Sequence, residues 1–126
     1  MGPEDESVEI SYDELMACRR VDATHEYDAE RVMLYAVGVG FGMDPTNVPE
    51  LRFCTEPRLT PVPSFVTVAA WDIRFKLELG IEWSKLVHAA QHIRLLGPIP
   101  VAGKIRASTH FTGAYHKPGR GTLLLE

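Results

Sequence analysis

The sequence is poor in the features that announce most enzyme classes. It has two cysteines, Cys18 and Cys54, 36 positions apart by number and in no metal-ligand spacing. Two thiols cannot define a disulfide framework, so reduced cysteines in an intracellular compartment are expected. No stretch approaches the roughly 18 apolar residues that a membrane-crossing helix needs. The opening Met1-Gly2-Pro3-Glu4-Asp5-Glu6-Ser7 is acidic, unlike a signal peptide, and Glu6 stands where myristoylation wants Ser or Thr. No targeting signal is visible, and a cytoplasmic location is expected, or a peroxisomal one in a eukaryote. Positive charge is also short. With 13 Lys and Arg against 17 Asp and Glu, the net charge is -4, which argues against nucleic acid as the main partner. No serine lies in a Gly-x-Ser-x-Gly elbow, so acyl-enzyme chemistry has no visible nucleophile.

What is present suits one folded domain: 126 residues, 45% hydrophobic and 24% charged, enough to build a core without staples. Pro63-Ser64-Phe65-Val66-Thr67-Val68-Ala69-Ala70-Trp71 lies mid-chain, at the end of the longest uncharged run. Apolar on all sides, it reads as a buried element. Val66, Thr67 and Val68 would suit a strand, but Pro63 followed by Ser64 as N-cap suits a helix over 64–71. The second half of the chain supplies strands to wrap it.

Residues 8–20 read as an irregular arm or short helix, and residues 21–27 as a first strand. Asp28 is a good N-cap for a helix over 29–37, with Met33, Leu34 and Val37 on one face. Gly38, Gly40 and Gly42 stop that helix, Asp44-Pro45-Thr46-Asn47 turns the chain, and Leu51 to Cys54 suggests a short strand. Pro57, Pro61 and Pro63 mark an extended approach to the central helix. Trp71, Ile73, Phe75, Leu77 and Leu79 alternate with charged residues, the pattern of a half-buried strand. Further strands are expected over 87–96 and 104–115, the latter with Ile105, Ala107, Thr109 and Phe111 on one face. Lys117-Pro118-Gly119-Arg120-Gly121 forms a hairpin turn, and a returning strand begins at Thr122.

Two constellations invite chemistry. Gly38-Val39-Gly40-Phe41-Gly42 resembles a nucleotide loop, but it ends a helix, whereas a phosphate loop opens one; a close-approach loop is the better reading. His88 and His92 have the spacing of a zinc pair on a helix. In a strand they would stand about 13 Å apart, too far to share one ion. No metal and no cofactor is expected.

The order of the pieces resembles one family. Glu26-Tyr27-Asp28-Ala29-Glu30-Arg31-Val32-Met33-Leu34-Tyr35-Ala36-Val37-Gly38-Val39-Gly40, then Asp44-Pro45, then Glu50-Leu51-Arg52-Phe53, looks like the opening of the MaoC-like (R)-specific 2-enoyl-CoA hydratases. The likeness continues in Val62-Pro63-Ser64-Phe65, usually Leu-Pro-Thr-Phe there. It continues in Lys85-Leu86-Val87-His88-Ala89-Ala90-Gln91, where Ala89-Ala90 replaces the usual Gly-Glu, and in Gly97-Pro98-Ile99-Pro100 and the 117–121 turn.

That resemblance implies an α+β hot-dog fold, an antiparallel sheet wrapped around the Ser64 helix, over residues 21–126, with 1–20 as an arm. It makes residues 71–79 a helix end and variable loop, against the strand pattern. In longer members the matching region is the first of two hot dogs, and the present sequence would stop mid-sheet. The hydratase pair of those members, Asp and His five residues apart in Asp-x-Asn-Pro-x-His, belongs to the second. Here Asp44-Pro45-Thr46-Asn47-Val48-Pro49 puts Pro49 at the histidine position. The implied role is substrate binding in an (R)-specific enoyl-CoA hydratase or 3-hydroxyacyl-CoA dehydratase, with no catalytic residue in this chain. Tyr35, Gly40, Phe41 and Gly42 are expected to line the acyl cavity, and Asp44 to order the loop. The partners implied are an acyl-CoA and a second hot dog or a second copy, with neither nucleic acid nor membrane. Two alternatives stand: an acyl-CoA-binding or scaffold subunit without chemistry, and a hot-dog thioesterase, for which Asp72 would be the local carboxylate.

Overall fold

The computed structural model describes residues 11–56, 58–71, 84, 86–117 and 122–125. These fall into two compact units. The chain is α+β, with short helices and an antiparallel strand pair.

The first unit takes described residues from 11–23, 84, 86–88, 108–117 and 122–125. Its helix α1 (Tyr12–Ala17) starts where Ser11 and Glu14 cap each other reciprocally. Ser11 Oγ accepts from the Glu14 N–H, and the Ser11 N–H donates to the Glu14 carboxylate at 2.9 Å. Leu15 is the buried residue of α1, which packs on a later strand of the same unit. That strand, numbered β3 in chain order (Ala114–Lys117), pairs antiparallel with β4 (Thr122–Leu125). The register sets Ala114 opposite Leu125 and Lys117 opposite Thr122. This is the geometry expected of a hairpin turning between them; residues 118–121 lie outside the described set.

The second unit takes described residues from 24–71 and 89–107. Strand β1 (Arg19–Tyr27) and strand β2 (Gly103–His110) share a two-stranded sheet, and their residues 24–27 and 103–107 belong here. Glu26 and Lys104 form an exposed ion pair across it at 3.0 Å. Helix α2 (Ala29–Gly38) begins as expected, with the Asp28 carboxylate accepting from the Arg31 N–H at 2.9 Å. Then come α3 (Val48–Leu51), a single 3-10 turn (Pro63–Phe65) and α4 (Val66–Ala69).

The core of this unit is Tyr27, Val32, Phe65 and Ala69, with Tyr35, Leu59, Val68, Ile99 and Ile105 packed on it. Phe65 is fully buried, and the rings of Tyr27 and Tyr35 meet its ring edge-on at 5.1 Å and 5.6 Å. Such aromatic pairs add about 0.5–1.5 kcal/mol beyond the area they bury. The polar ends of both tyrosines are satisfied: Tyr27 donates to the Pro100 carbonyl at 2.9 Å, and Tyr35 to Ser64 Oγ at 2.8 Å. Arg31 reaches from α2 to the carbonyls of Glu26 and Val68, tying helix, strand and central segment together.

Several expectations are corrected. The central segment is helical only in two short pieces, and Trp71 lies beyond them, 48% exposed. Ser64 does not cap it. The first turn is closed by the Phe65 N–H on the Val62 carbonyl at 2.8 Å, and the Ser64 hydroxyl is taken by Tyr35. Nor is the segment buried all round, because Phe65 and Ala69, one turn apart, are buried while Val66, Thr67 and Val68 are only half-buried.

On α2 the core-facing residues are Val32 and Ala36, both fully buried, whereas Leu34 is 73% and Val37 54% exposed. The buried stripe therefore lies about one position away from the face that Met33, Leu34 and Val37 share. Residues 51–54 are not a strand but the end of α3 and a run of tight turns. Phe53 N–H donates to Glu50 O, and Cys54 and Thr55 both donate to Leu51 O. Pro49, which has no N–H to lose, sits in the first turn of α3, where that loss is harmless.

Residues 87–96 form no strand; they are exposed throughout, with Leu96 at 94%, and no ladder partner lies beside them among the described residues. The strand expected over 104–115 is two, β2 and β3, parted at residues 111–113. Of its proposed inward face, Ile105 and Ala107 are half-buried and Thr109 is exposed. The alternating stretch 71–79 lies outside the described residues beyond Trp71. Among the described residues, no helix is long and apolar enough to cross a membrane.

Candidate functional site

The residues after α2 form a folded loop rather than a loose one. The Phe41 N–H returns to the Ala36 carbonyl at 3.0 Å, and the Val39 and Gly40 N–H groups bond to Tyr35 and Val37 carbonyls. Gly40 (φ 101°) and Gly42 (φ 77°) take the left-handed backbone that favours glycine. The two are not equivalent. A Cβ on Gly40 would meet open space, whereas one on Gly42 would lie 2.7 Å from Cys54 Sγ. Phe41 packs on Phe53, ring centroids 4.7 Å apart, so the glycine loop rests on the turn after α3.

Asp44 closes the next turn. Its Oδ1 accepts from the Thr46 hydroxyl at 2.6 Å and the Thr46 N–H at 2.8 Å. Those two bonds, the hydroxyl first, hold its carboxyl below the ordinary carboxylate value while it stays exposed to water. Tyr35 is placed elsewhere in the unit: half-buried, its ring on Phe65 and its hydroxyl on Ser64. The five expected site residues therefore split, with Phe41 and Gly42 against residues 53–54, Tyr35 in the aromatic core, Gly40 open, and Asp44 on its own turn.

A depression of about 590 Å³ opens nearby, lined by Val48, Pro49, Leu51, Arg52, Thr55, Glu56, Arg58 and Thr60. None of the five expected residues lines it. Its lining includes two arginines that sequence reasoning passed over, because a charged pair inside a proline-flanked segment reads as solvated loop. The Arg52 guanidinium stacks over the Phe53 ring, 4.6 Å from its centroid.

The histidines do not assemble a site. His88 and His92 are exposed and outside any strand, and His25 Nε2 is buried without a hydrogen-bond partner among the described residues. Among those residues no three His, Cys, Asp or Glu side chains gather as a metal site would require. Cys18 and Cys54 are free and half-buried.

Comparison with known proteins gives the chain its family. Residues 25–125 match the MFE-2 hydratase 2 N-terminal domain. A curated relative, the enoyl-CoA hydratase ChsH3 of Mycobacterium tuberculosis, is 34% identical over 93 residues. The match takes in 68% of this chain and 32% of the relative, so the chain spans about a third of that protein's length. No solved structure matches. With four-fifths of its length inside the family's domain, the chain belongs to the MFE-2 hydratase 2 N-terminal domain family, within the MaoC-like hydratases.

Proposed function

We propose that this chain is the substrate-binding half of an (R)-specific enoyl-CoA hydratase or 3-hydroxyacyl-CoA dehydratase, a hot-dog domain over residues 21–126 that does not hydrate by itself. The family match over residues 25–125, with a relative named an enoyl-CoA hydratase, supports the substrate class. The observation that carries the non-catalytic reading is at Asp44. Adding water across an enoyl thioester needs a base for the water and an acid for the α-carbon, held within hydrogen-bonding reach of one another's work. Asp44 spends one carboxylate oxygen on Thr46, and the residue five positions on is Pro49, which transfers no proton.

In this reading the acyl chain lies along the glycine loop. Gly40 offers backbone without a side chain over open space, Phe41 offers an apolar ring, and Gly42 sets the loop down on Cys54. Tyr35 orders the helix beneath, and Asp44 orders the turn that follows. The missing base and acid come from a hot dog carrying the Asp and His, whether in the same polypeptide or in a partner.

The test follows the fall in enoyl-thioester absorbance with the purified chain, alone and with a family domain that carries the Asp–His pair. No turnover alone and turnover on mixing is the expected result. Robust turnover by the chain alone that survives Asp44→Asn would overturn the non-catalytic assignment; turnover lost on that change would make Asp44 the base.

A further inference from the structure

The depression beside α3 has the make-up of an anion site that the acyl-binding reading does not use. Its volume of about 590 Å³ falls within the roughly 300–1,000 Å³ usual for small-molecule pockets. Arg52 and Arg58 both line it, and the Thr60 N–H, donating to the Arg52 carbonyl at 2.8 Å, brings two of the lining residues together. The neighbouring hydroxyls are already committed: Thr55 donates to the Leu51 carbonyl at 2.7 Å and Thr60 to the Arg58 carbonyl at 3.3 Å.

The two guanidiniums are not committed. Among the described residues neither has a hydrogen bond or ion pair, in contrast to Arg31 with its two carbonyls and Lys104 with Glu26. The Arg52 guanidinium carbon lies over the Phe53 ring, 4.6 Å from its centroid, a contact that takes none of its N–H donors. One carboxylate, Glu56, shares the lining, so the excess is a single positive charge in a chain of net -4. Val48, Pro49 and Leu51 supply an apolar wall beside these charges.

An apolar wall next to two forked donors fits an organic anion with a flat apolar body, and guanidinium forks match phosphate oxygens in pairs. We infer that this depression binds the phosphates of a nucleotide, with Arg52 and Arg58 as its donors and the base against Val48 and Leu51. Two sources share that chemistry, the nucleotide end of a CoA thioester and a free nucleotide. Nucleotide binding here needs neither the glycine loop nor any acyl chain, so it can fail without the proposed function failing; only the assignment to a CoA thioester rests on that function.

The experiment is an amide NMR titration of the isotopically labelled chain with ADP, 3′-phospho-ADP, adenosine and pantetheine at constant ionic strength. ADP should shift the amides of residues 51–60 saturably, and adenosine should bind roughly tenfold more weakly or not at all. Arg52→Gln and Arg58→Gln should each weaken ADP by roughly tenfold. Unchanged peak dispersion elsewhere certifies that the variants fold. Tighter binding of 3′-phospho-ADP assigns the site to a CoA thioester, and equal or weaker binding to a free nucleotide. Equal responses to ADP and adenosine, ADP shifts that persist in the double variant, or no shift at millimolar ADP would each overturn the inference. Pantetheine, which carries no nucleotide, should leave residues 51–60 unshifted, and shifts there matching those of ADP would overturn the inference.

Discussion

The Tyr35 hydroxyl donates to Ser64 Oγ across 2.8 Å, joining residues 29 positions apart. It fastens the middle of α2 to the turn that places Phe65 in the core. Tyr35→Phe keeps the edge-on ring contact and removes only the bond, so a loss of about 0.5–1.5 kcal/mol is expected in urea unfolding. A double cycle with Ser64→Ala should recover most of that as coupling; strict additivity would mean the bond contributes nothing.

Val32 and Leu34 offer a direct comparison on one helix. Val32 is fully buried and Leu34 is 73% exposed. Val32→Ala should destabilise by about 2 kcal/mol, while Leu34→Ala should stay within about 0.5 kcal/mol. Reversed magnitudes in thermal unfolding would place the core on the other face.

The two left-handed glycines should differ by what their Cβ would touch. Gly40→Ala meets only backbone strain, about 1 kcal/mol, because nothing lies within 4 Å. Gly42→Ala meets the same strain and the Cys54 sulfur at 2.7 Å, and should cost about 1–3 kcal/mol more. Adding Cys54→Ala to Gly42→Ala should recover the contact part and leave the strain, as read from the midpoints of chemical denaturation.

Gly40 also tests the acyl site. A β-branched residue there strains the loop at φ 101°. Gly40→Val should weaken acyl-CoA binding more than Ala102→Val, an exposed substitution on a different segment. Equal affinities by calorimetry would remove the loop from the site.

Asp44 gives a pH signature. Its folded carboxyl lies below the ordinary value because Thr46 bonds the charged form. A depressed pKa stabilises the fold above the unfolded pKa, and that contribution is lost as pH falls through the folded one. The Asp44 turn should therefore loosen in acid, below the ordinary carboxylate range. Thr46→Val removes the larger cause, and the Asp44 titration followed by carboxyl NMR should move up toward the ordinary value. An unmoved titration would show that the hydroxyl is not the cause.

Local signals in the sequence carried well where the responsible groups sit next to one another. Asp28 as N-cap, the glycine stop after Gly38, the Asp44 turn and the strand at residues 122–125 each depend on residues within a few positions. What failed depends on distant partners. Ser64 has the chemistry of an N-cap, and only its neighbour Tyr35 shows that the hydroxyl is used sideways. The face of α2 was misplaced because Leu34 and Val37 are more apolar by residue type than Ala36, while burial was decided by where Phe65 stands. Leu51 to Cys54 looks like a strand until Pro49 is seen opening a helical turn. The pocket arginines had no signal beyond two charges, since the backbone bond from Thr60 to Arg52 that helps shape the depression leaves no mark in the sequence. Of the expected site, the glycine stop after α2 was legible in advance; the separation of Tyr35 from Phe41 and Gly42 was not.

The bond from the Tyr27 hydroxyl to the Pro100 carbonyl spans 73 residues, and it sets an order of events during synthesis. Tyr27, Val32, Phe65 and Ala69 can all have left the ribosome while Ile99, Pro100 and Ile105 are still being made. Until that last segment emerges, the cluster lacks the cover of Ile99 and Ile105, and Tyr27 has no Pro100 carbonyl for its hydroxyl. Closing so long a loop is slow relative to forming α2 or the Asp44 turn. A nascent chain paused before Pro100 would thus carry a formed helix and an open aromatic cluster, the state most exposed to chaperones and to self-association.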